Sequence, residues 1–174
     1  MNFSSTRRDD LSNSMLSNIR VVSRRHFLLS STAAGAAGAY LGINQALARE
    51  PKSASKSIQQ ITDQDRDYMR QAVQLMRQAG VVDKTGGPFG AVVVRDGKVL
   101  AACGNSVMRD HDPSAHAEVN AIRMACRAVG SPNIPGAVLY SSCEPCPMCY
   151  STAYWARISK IFYAASWSDY ADLL

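Results

Sequence analysis

Cys143, Cys146 and Cys149 stand three residues apart in "SSCEPCPMCYSTAYWAR", residues 141–157, on the edge of an apolar stretch. Thiols so closely spaced point to a metal or a redox centre. With Cys103 and Cys126 they make an odd number in a chain that is 47% hydrophobic, so no disulfide framework is required. A bacterial iron–sulfur run needs a fourth cysteine four positions after the third, and that position is Ala153. A tetrahedral zinc with an open catalytic position needs three protein ligands, hence two of these cysteines and one residue from elsewhere. Of the three histidines, His26 lies near the N-terminus and His111 in the polar "RDHDP", which leaves His116.

The surroundings of His116 repeat those of the cysteines. "DPSAHAE" and "CEPCPMC" each present an acidic residue, then a proline suited to the first helical position, then a candidate ligand in the first turn. Two helix N-termini would then face one ion, and their partial positive charge favours the thiolate that binds metal. Cys146 and Cys149, at i and i+3, share a helix face. Cys143 falls before that helix and reads as a packed thiol beside the site. If it were a fourth ligand, the site would be structural and not catalytic. Glu118 lies two residues from His116, and on a regular helix that spacing alone would turn it to another side.

These residues need elements to hold them. Thr62, with Asp65 three positions on, caps a helix whose apolar positions Met69, Ala72, Val73, Met76 and Ala79 recur at helical spacing up to Gly80. "GAVVVRDGKVLAAC", residues 90–103, is two apolar runs about Asp96-Gly97, a hairpin signal. Helix "AHAEVNAIRMACRAVG", strand "AVLYSS", helix "PMCYSTAYWAR" and strand "KIFYAA" follow. Strands alternating with helices after one hairpin predict an α/β fold, a mixed sheet covered on both faces.

In front of this domain, "SRRHFLLSSTAAGAAGAYLGINQALA" opens at Ser23 with paired arginines, runs uncharged from Phe27 to Ala48 and ends in a small-x-small cleavage signal. It resembles a twin-arginine export signal: Ser23, Arg24, Arg25, Phe27 and Leu28 fit that pattern, and Leu29 stands where lysine is common. An uncleaved membrane anchor is the alternative, poorly served by the serines, glycines, Asn44 and Gln45 of the stretch. The expected organisation is a signal over residues 1–48, a polar linker over 49–60 and a catalytic domain over 61–174, with periplasmic or extracellular export and membrane contact only through the signal. The net charge of +5 belongs to the front of the chain. Residues 1–60 hold eight Lys or Arg against three Asp or Glu, and residues 61–174 hold eleven of each. A neutral catalytic part disfavours nucleic acid as partner.

His116-Ala117-Glu118 followed by Pro145-Cys146-Pro147-Met148-Cys149 resembles the H-x-E and P-C-x-x-C signature of the zinc-dependent cytidine and nucleobase deaminases. The resemblance runs from about Ile61 to Leu174. It implies a three-layer αβα cytidine-deaminase-like fold, one zinc per chain on His116, Cys146 and Cys149, and Glu118 as proton shuttle. "GGPFGAVVV", "DPSAHAEVNAIRMAC" and "YWAR" are most similar to the bacterial guanine deaminases, with tRNA adenosine deaminases as more distant relatives. In that family the positions of Asn105, Phe89 and Trp155 hold the base, and guanine would be converted to xanthine and ammonia. Core packing for Phe89 and Trp155, and a turn role for Asn105 after Gly104, stay open as alternatives. So do tRNA adenosine, cytosine or a nucleoside as substrate, and a non-catalytic zinc domain. Guanine deaminases continue past the strand matching "KIFYAA", whereas Leu174 lies nine residues after Ala165, so a C-terminally incomplete domain is expected. Asp169 and Asp172 do not match the family's substrate-binding acid. An unfinished sheet edge invites association, and a homodimer is expected.

Overall fold

The computed structural model describes residues 16–23 and 61–171. A five-stranded sheet forms the middle layer. Its strands are β1 (Arg20–Ser23), β2 (Gly90–Arg95), β3 (Lys98–Gly104), β4 (Val138–Cys143) and β5 (Lys160–Ala165), in spatial order β1-β5-β4-β2-β3. β2 runs antiparallel to both β3 and β4, β4 and β5 are parallel, and β1 is antiparallel to β5, so the sheet is mixed as expected. The α/β class and the αβα layering hold.

Helix α1 (Asp63–Arg77) starts with the expected capping box: Thr62 accepts from the Asp65 N–H, and the Asp65 carboxylate accepts from the Thr62 N–H at 2.8 Å. Met69, Ala72 and Val73 are its buried residues, and Met69 and Ala72 pack with Val92, Val94, Tyr140 and Phe162 on one side of the sheet. Regular helix ends at Arg77, three residues before Gly80, and the chain continues as a π-helical turn over Gln78–Val82. The reason is close packing: a Cβ at Gly80 would meet the Cα of Pro88 at 2.6 Å. The β2–β3 hairpin turns at Asp96 and Gly97, both with positive φ, as a two-residue turn of the primed type requires.

The other face carries α3 (Ala117–Val129) and α4 (Pro147–Trp155), with the short α2 (Val107–Asp110) leading into α3. Ala117, Ala121, Ile122, Ala125 and Ala153 close this second core over Ala91, Val93, Leu139 and Ile161. Small residues on both helices and on β2 let the backbones approach closely. A last short helix, α5, spans Trp167–Ala171.

The sheet departs from the sequence reading at one edge. β5 was expected to lie open, with residues 1–48 set aside as leader, yet Arg20–Ser23 pair along it and Leu16 and Ile19 enter the α1-side core. The remainder of the leader and the linker at 49–60 lie outside the described residues. Among the described residues, no helix is long and apolar enough to cross a membrane.

Candidate metal centre

β4 delivers the chain to the site at its carboxyl end, where α/β sheets ordinarily place ligands. Cys146 is the N-cap of α4, with extended backbone (φ −71, ψ 168) and Pro147 as the first helical residue. His116 is likewise the N-cap of α3 (φ −66, ψ 151). The parallel between the two segments is therefore closer than their prolines suggest. Pro113 and Pro145 lie outside the helices, and each helix opens on a ligand instead. Cys149 sits one turn into α4.

The three ligand atoms form a nearly equilateral triangle. Cys146 Sγ lies 3.6 Å from Cys149 Sγ, and His116 Nδ1 lies 3.7 Å and 3.6 Å from the two sulfurs. A tetrahedral zinc with bonds of about 2.3 Å to sulfur and about 2.0–2.1 Å to nitrogen requires separations of about 3.8 Å (S–S) and about 3.6 Å (S–N). The triangle fits zinc with no movement of the backbone. Among the described residues these three atoms are the group that can hold a metal, all within 4.8 Å of one another. Cys143 is buried outside this group, its thiol pushed up to about 11 by burial and then by the Glu118 charge. Burial also pushes the Cys149 thiol up, so an apo site would hold it protonated, and metal must displace that proton.

Glu118 is 4% exposed and accepts a hydrogen bond from Ser141 Oγ at 3.1 Å. Burial raises its carboxyl above the ordinary range, against its hydrogen bonds and the charge of His116. The spacing argument that set Glu118 apart from His116 assumed both lay on one regular helix. His116 is the cap and extended, so the two side chains converge, and Glu118 contacts Cys149.

Asn105 is buried at 4%, its N–H bonded to the Phe89 carbonyl (3.0 Å) and its Oδ1 accepting from the Val107 N–H (3.2 Å). The Gly86-Gly87 loop lies directly on it: a Cβ at Gly86 would run into Asn105 Oδ1. Asn105 thus serves the turn, and Phe89 packs partly into the α3-side core. Trp155 closes α4 with its indole 75% exposed and edge-on to Tyr154 at 5.6 Å. Two supporting residues were missed by the sequence reading. Ser141 orients Glu118 from β4, and Asn120 Nδ2 bonds Ser106 Oγ (2.8 Å) and the Ala115 carbonyl (3.2 Å), tying the loop after β3 to the segment that ends in His116. Neither carries a motif signal, since Ser141 reaches back to Glu118 on α3 and Asn120 reaches back to Ser106 after β3.

A mixed sheet whose parallel strands end at a Cys-Cys-His triangle, with a buried carboxylate against it, defines a zinc-dependent hydrolytic centre of the cytidine-deaminase-like fold. Residues 62–165 match the cytidine and deoxycytidylate deaminase zinc-binding region, and the chain belongs to that family. It is 49% identical over 105 residues to guanine deaminase of Bacillus subtilis, covering 60% of this chain and 67% of that one. It is 45% identical over 98 residues to the tRNA-specific adenosine deaminase of Agrobacterium fabrum, covering 56% and 63%. The crystal structure of the Bacillus subtilis guanine deaminase superposes with a TM-score of 0.59 over 62% of this chain and 68% of that one, at 47% identity. The chain covers 67% and 63% of the lengths of these two curated relatives, and 52% of the tRNA-specific adenosine deaminase of Aquifex aeolicus.

Proposed function

We propose that this protein deaminates a free nucleobase hydrolytically, with guanine as preferred substrate and xanthine and ammonia as products. The observation that carries the reaction class is the zinc-sized triangle of His116, Cys146 and Cys149 with Glu118 buried against it. Zinc, when bound there, supplies the Lewis acidity that makes water reactive near neutral pH. Glu118 takes the proton released by that water and passes it to the departing amine, and its Ser141 hydrogen bond holds the carboxylate in place between the two transfers. Burial of Glu118 favours this shuttle, because a carboxyl raised above its ordinary range gives the proton up less readily to solvent. Asn105, Phe89 and Trp155 are assigned to the base on the resemblance to the guanine deaminases alone, Asn105 in addition to the turn contacts it makes.

The choice of a small base rests on charge. Residues 61–174 hold equal numbers of acids and bases, whereas a polyanion is gathered by Lys and Arg that neutralise its phosphates. A neutral purine needs a flat apolar contact and a few hydrogen bonds. The similar identities to a guanine deaminase and to a tRNA-specific adenosine deaminase make the second substrate the rival to test. Ammonia release by the zinc-loaded full chain is to be measured with guanine, adenine, cytosine, their nucleosides and a tRNA carrying an anticodon adenosine. Guanine turnover with an inert tRNA is the expected result; editing of the tRNA without turnover of guanine refutes the substrate. We further propose export by the twin-arginine route and a homodimeric assembly.

A further inference from the structure

We infer that Asp110, Ser106 and Asn120 form a positioning relay that locks the Asn105 turn to the segment ending in His116, so that base and metal are held in one fixed relation. Its part in base binding rests on the assignment of Asn105 to the base proposed above. The relay runs in one direction, each group donating to the next. Asn120 Nδ2 donates to Ser106 Oγ at 2.8 Å, and Ser106 Oγ donates to Asp110 Oδ2 at 2.6 Å. Arg109 closes the acceptor end with two bonds to the same carboxylate, at 2.7 Å and 3.0 Å. The bonds from Arg109 and then Ser106 push the Asp110 carboxyl down to about 2, so the relay ends on a charge at neutral pH.

Local needs do not account for these residues. Ser106 is the N-cap of α2, where a serine ordinarily accepts from its own helix, yet its hydroxyl makes no cap bond there. The cap is supplied from elsewhere: Asn105 Oδ1 takes the Val107 N–H at 3.2 Å, and the Met108 and Arg109 N–H groups both reach the Thr85 carbonyl at 3.0 Å. Ser106 is 2% exposed, so its hydroxyl needs a donor and an acceptor, and Asn120 and Asp110 provide them. Asn120 is a weak helix former at the start of α3, beside Ala117, Val119 and Ala121. Its amide is spent across the fold instead of on its own helix.

The relay meets both halves of the site. The Ala115 carbonyl, one residue before His116, accepts from Asn120 Nδ2 at 3.2 Å and from the Ser106 N–H at 3.0 Å. On the other side, the Thr85 hydroxyl donates to the Asn105 carbonyl at 2.7 Å and ties in the loop of Gly86 and Gly87. Ser106 is the junction: it adjoins Asn105 in the chain and is bonded to the metal segment through Ala115 and Asn120. Loss of the Ser106 hydroxyl leaves the Ala115 and Thr85 bonds in place, so the fold survives while the spacing of Asn105 from His116 loosens. Groups in such a network support one another, and their removals are not additive.

The test compares Ser106→Ala, Asp110→Ala, Asp110→Asn and Asn105→Ala with the parent, all as the zinc-loaded full chain. Amide hydrogen exchange over 105–109 reads the turn without substrate, and steady-state ammonia release gives KM and kcat for guanine. Ser106→Ala and Asp110→Ala each speed exchange of the Asn105, Met108 and Arg109 amides at least about fivefold. Each also raises KM about tenfold, with zinc content unchanged and kcat within about threefold of the parent. Asp110→Asn keeps an oxygen for Ser106 Oγ and recovers most of both effects. Ser106→Ala combined with Asp110→Ala is worse than either alone by no more than about twofold, because one unit is already broken. A purely structural role thins the population of active molecules, which lowers kcat and leaves KM alone, and that result overturns the inference. So do unchanged exchange over 105–109 in a folded Ser106→Ala chain and effects that multiply in the combined variant. Asn105→Ala separates the two readings: if it leaves KM unchanged while Ser106→Ala still speeds exchange, the assignment of Asn105 to the base falls and the lock between turn and metal segment stands.

Discussion

Glu118→Gln separates proton transfer from everything else the site does. Gln is isosteric with Glu, and its amide oxygen still accepts from Ser141 Oγ, now 3.1 Å from Glu118 Oε1, so the buried serine keeps its partner. The metal triangle is made of His116 Nδ1 and the two Sγ atoms and does not include Glu118, so zinc content should stay at one per chain. What is lost is an atom that can accept a proton from water. General-base contributions of this kind are worth about 10² to 10⁴ in rate, or about 2.7 to 5.4 kcal/mol at about 1.36 kcal/mol per decade. Stability should change little, because a buried carboxyl with a raised pKa is replaced by a neutral group of the same shape. The assay is steady-state ammonia release from guanine, with metal analysis and a thermal melt on the same preparations. A zinc-loaded variant within about tenfold of the parent would show that another group moves the proton, and the role of Glu118 would have to be withdrawn.

His116→Ala, Cys146→Ser and Cys149→Ser each remove one corner of a three-atom site and should abolish stoichiometric zinc by metal analysis, whereas Cys143→Ser should retain it; an empty Cys143→Ser site would make the centre structural. Tyr140 donates to Asp65 Oδ1 at 2.6 Å, so Tyr140→Phe should cost about 1–2 kcal/mol in denaturant unfolding, toward the low end because Asp65 is partly solvated. Burial works to raise the Asp65 carboxyl, but hydrogen bonds from Thr62 and Tyr140 outweigh it and hold the pKa below the ordinary value. This stabilisation is therefore fully present above about pH 4 and is lost as pH falls through the lowered value; Tyr140→Phe should flatten that acid limb, and an unchanged limb would contradict the assignment. Arg24→Lys with Arg25→Lys should leave the precursor inside the cell, and finding that double variant processed outside would show a signal of another type.

Much of the centre was written locally. The i, i+3 spacing of Cys146 and Cys149, a proline beside each ligand segment and the alternation of strand and helix are short-range patterns, and they sufficed for the αβα class and the candidate ligands. The hairpin at Asp96-Gly97 and the Thr62 cap were equally legible, because each is settled within four residues. What the tertiary structure decided are relations between segments far apart in the chain. His116 and Cys149, 33 residues apart, meet because α3 and α4 cover the same face of the sheet. Glu118 turns toward its sister ligand because His116 is a cap and not a helical residue, a distinction of one residue that periodicity cannot resolve. Ser141 finds Glu118 through the alternation of β4, and Gly86 is forced by the approach of its loop to Asn105. Residues 16–23 were hidden for a further reason. A four-residue strand has too short a pattern to announce itself, and its partner β5 lies some 140 positions along the chain, so only the folded sheet, with an edge to fill, gives those residues a place.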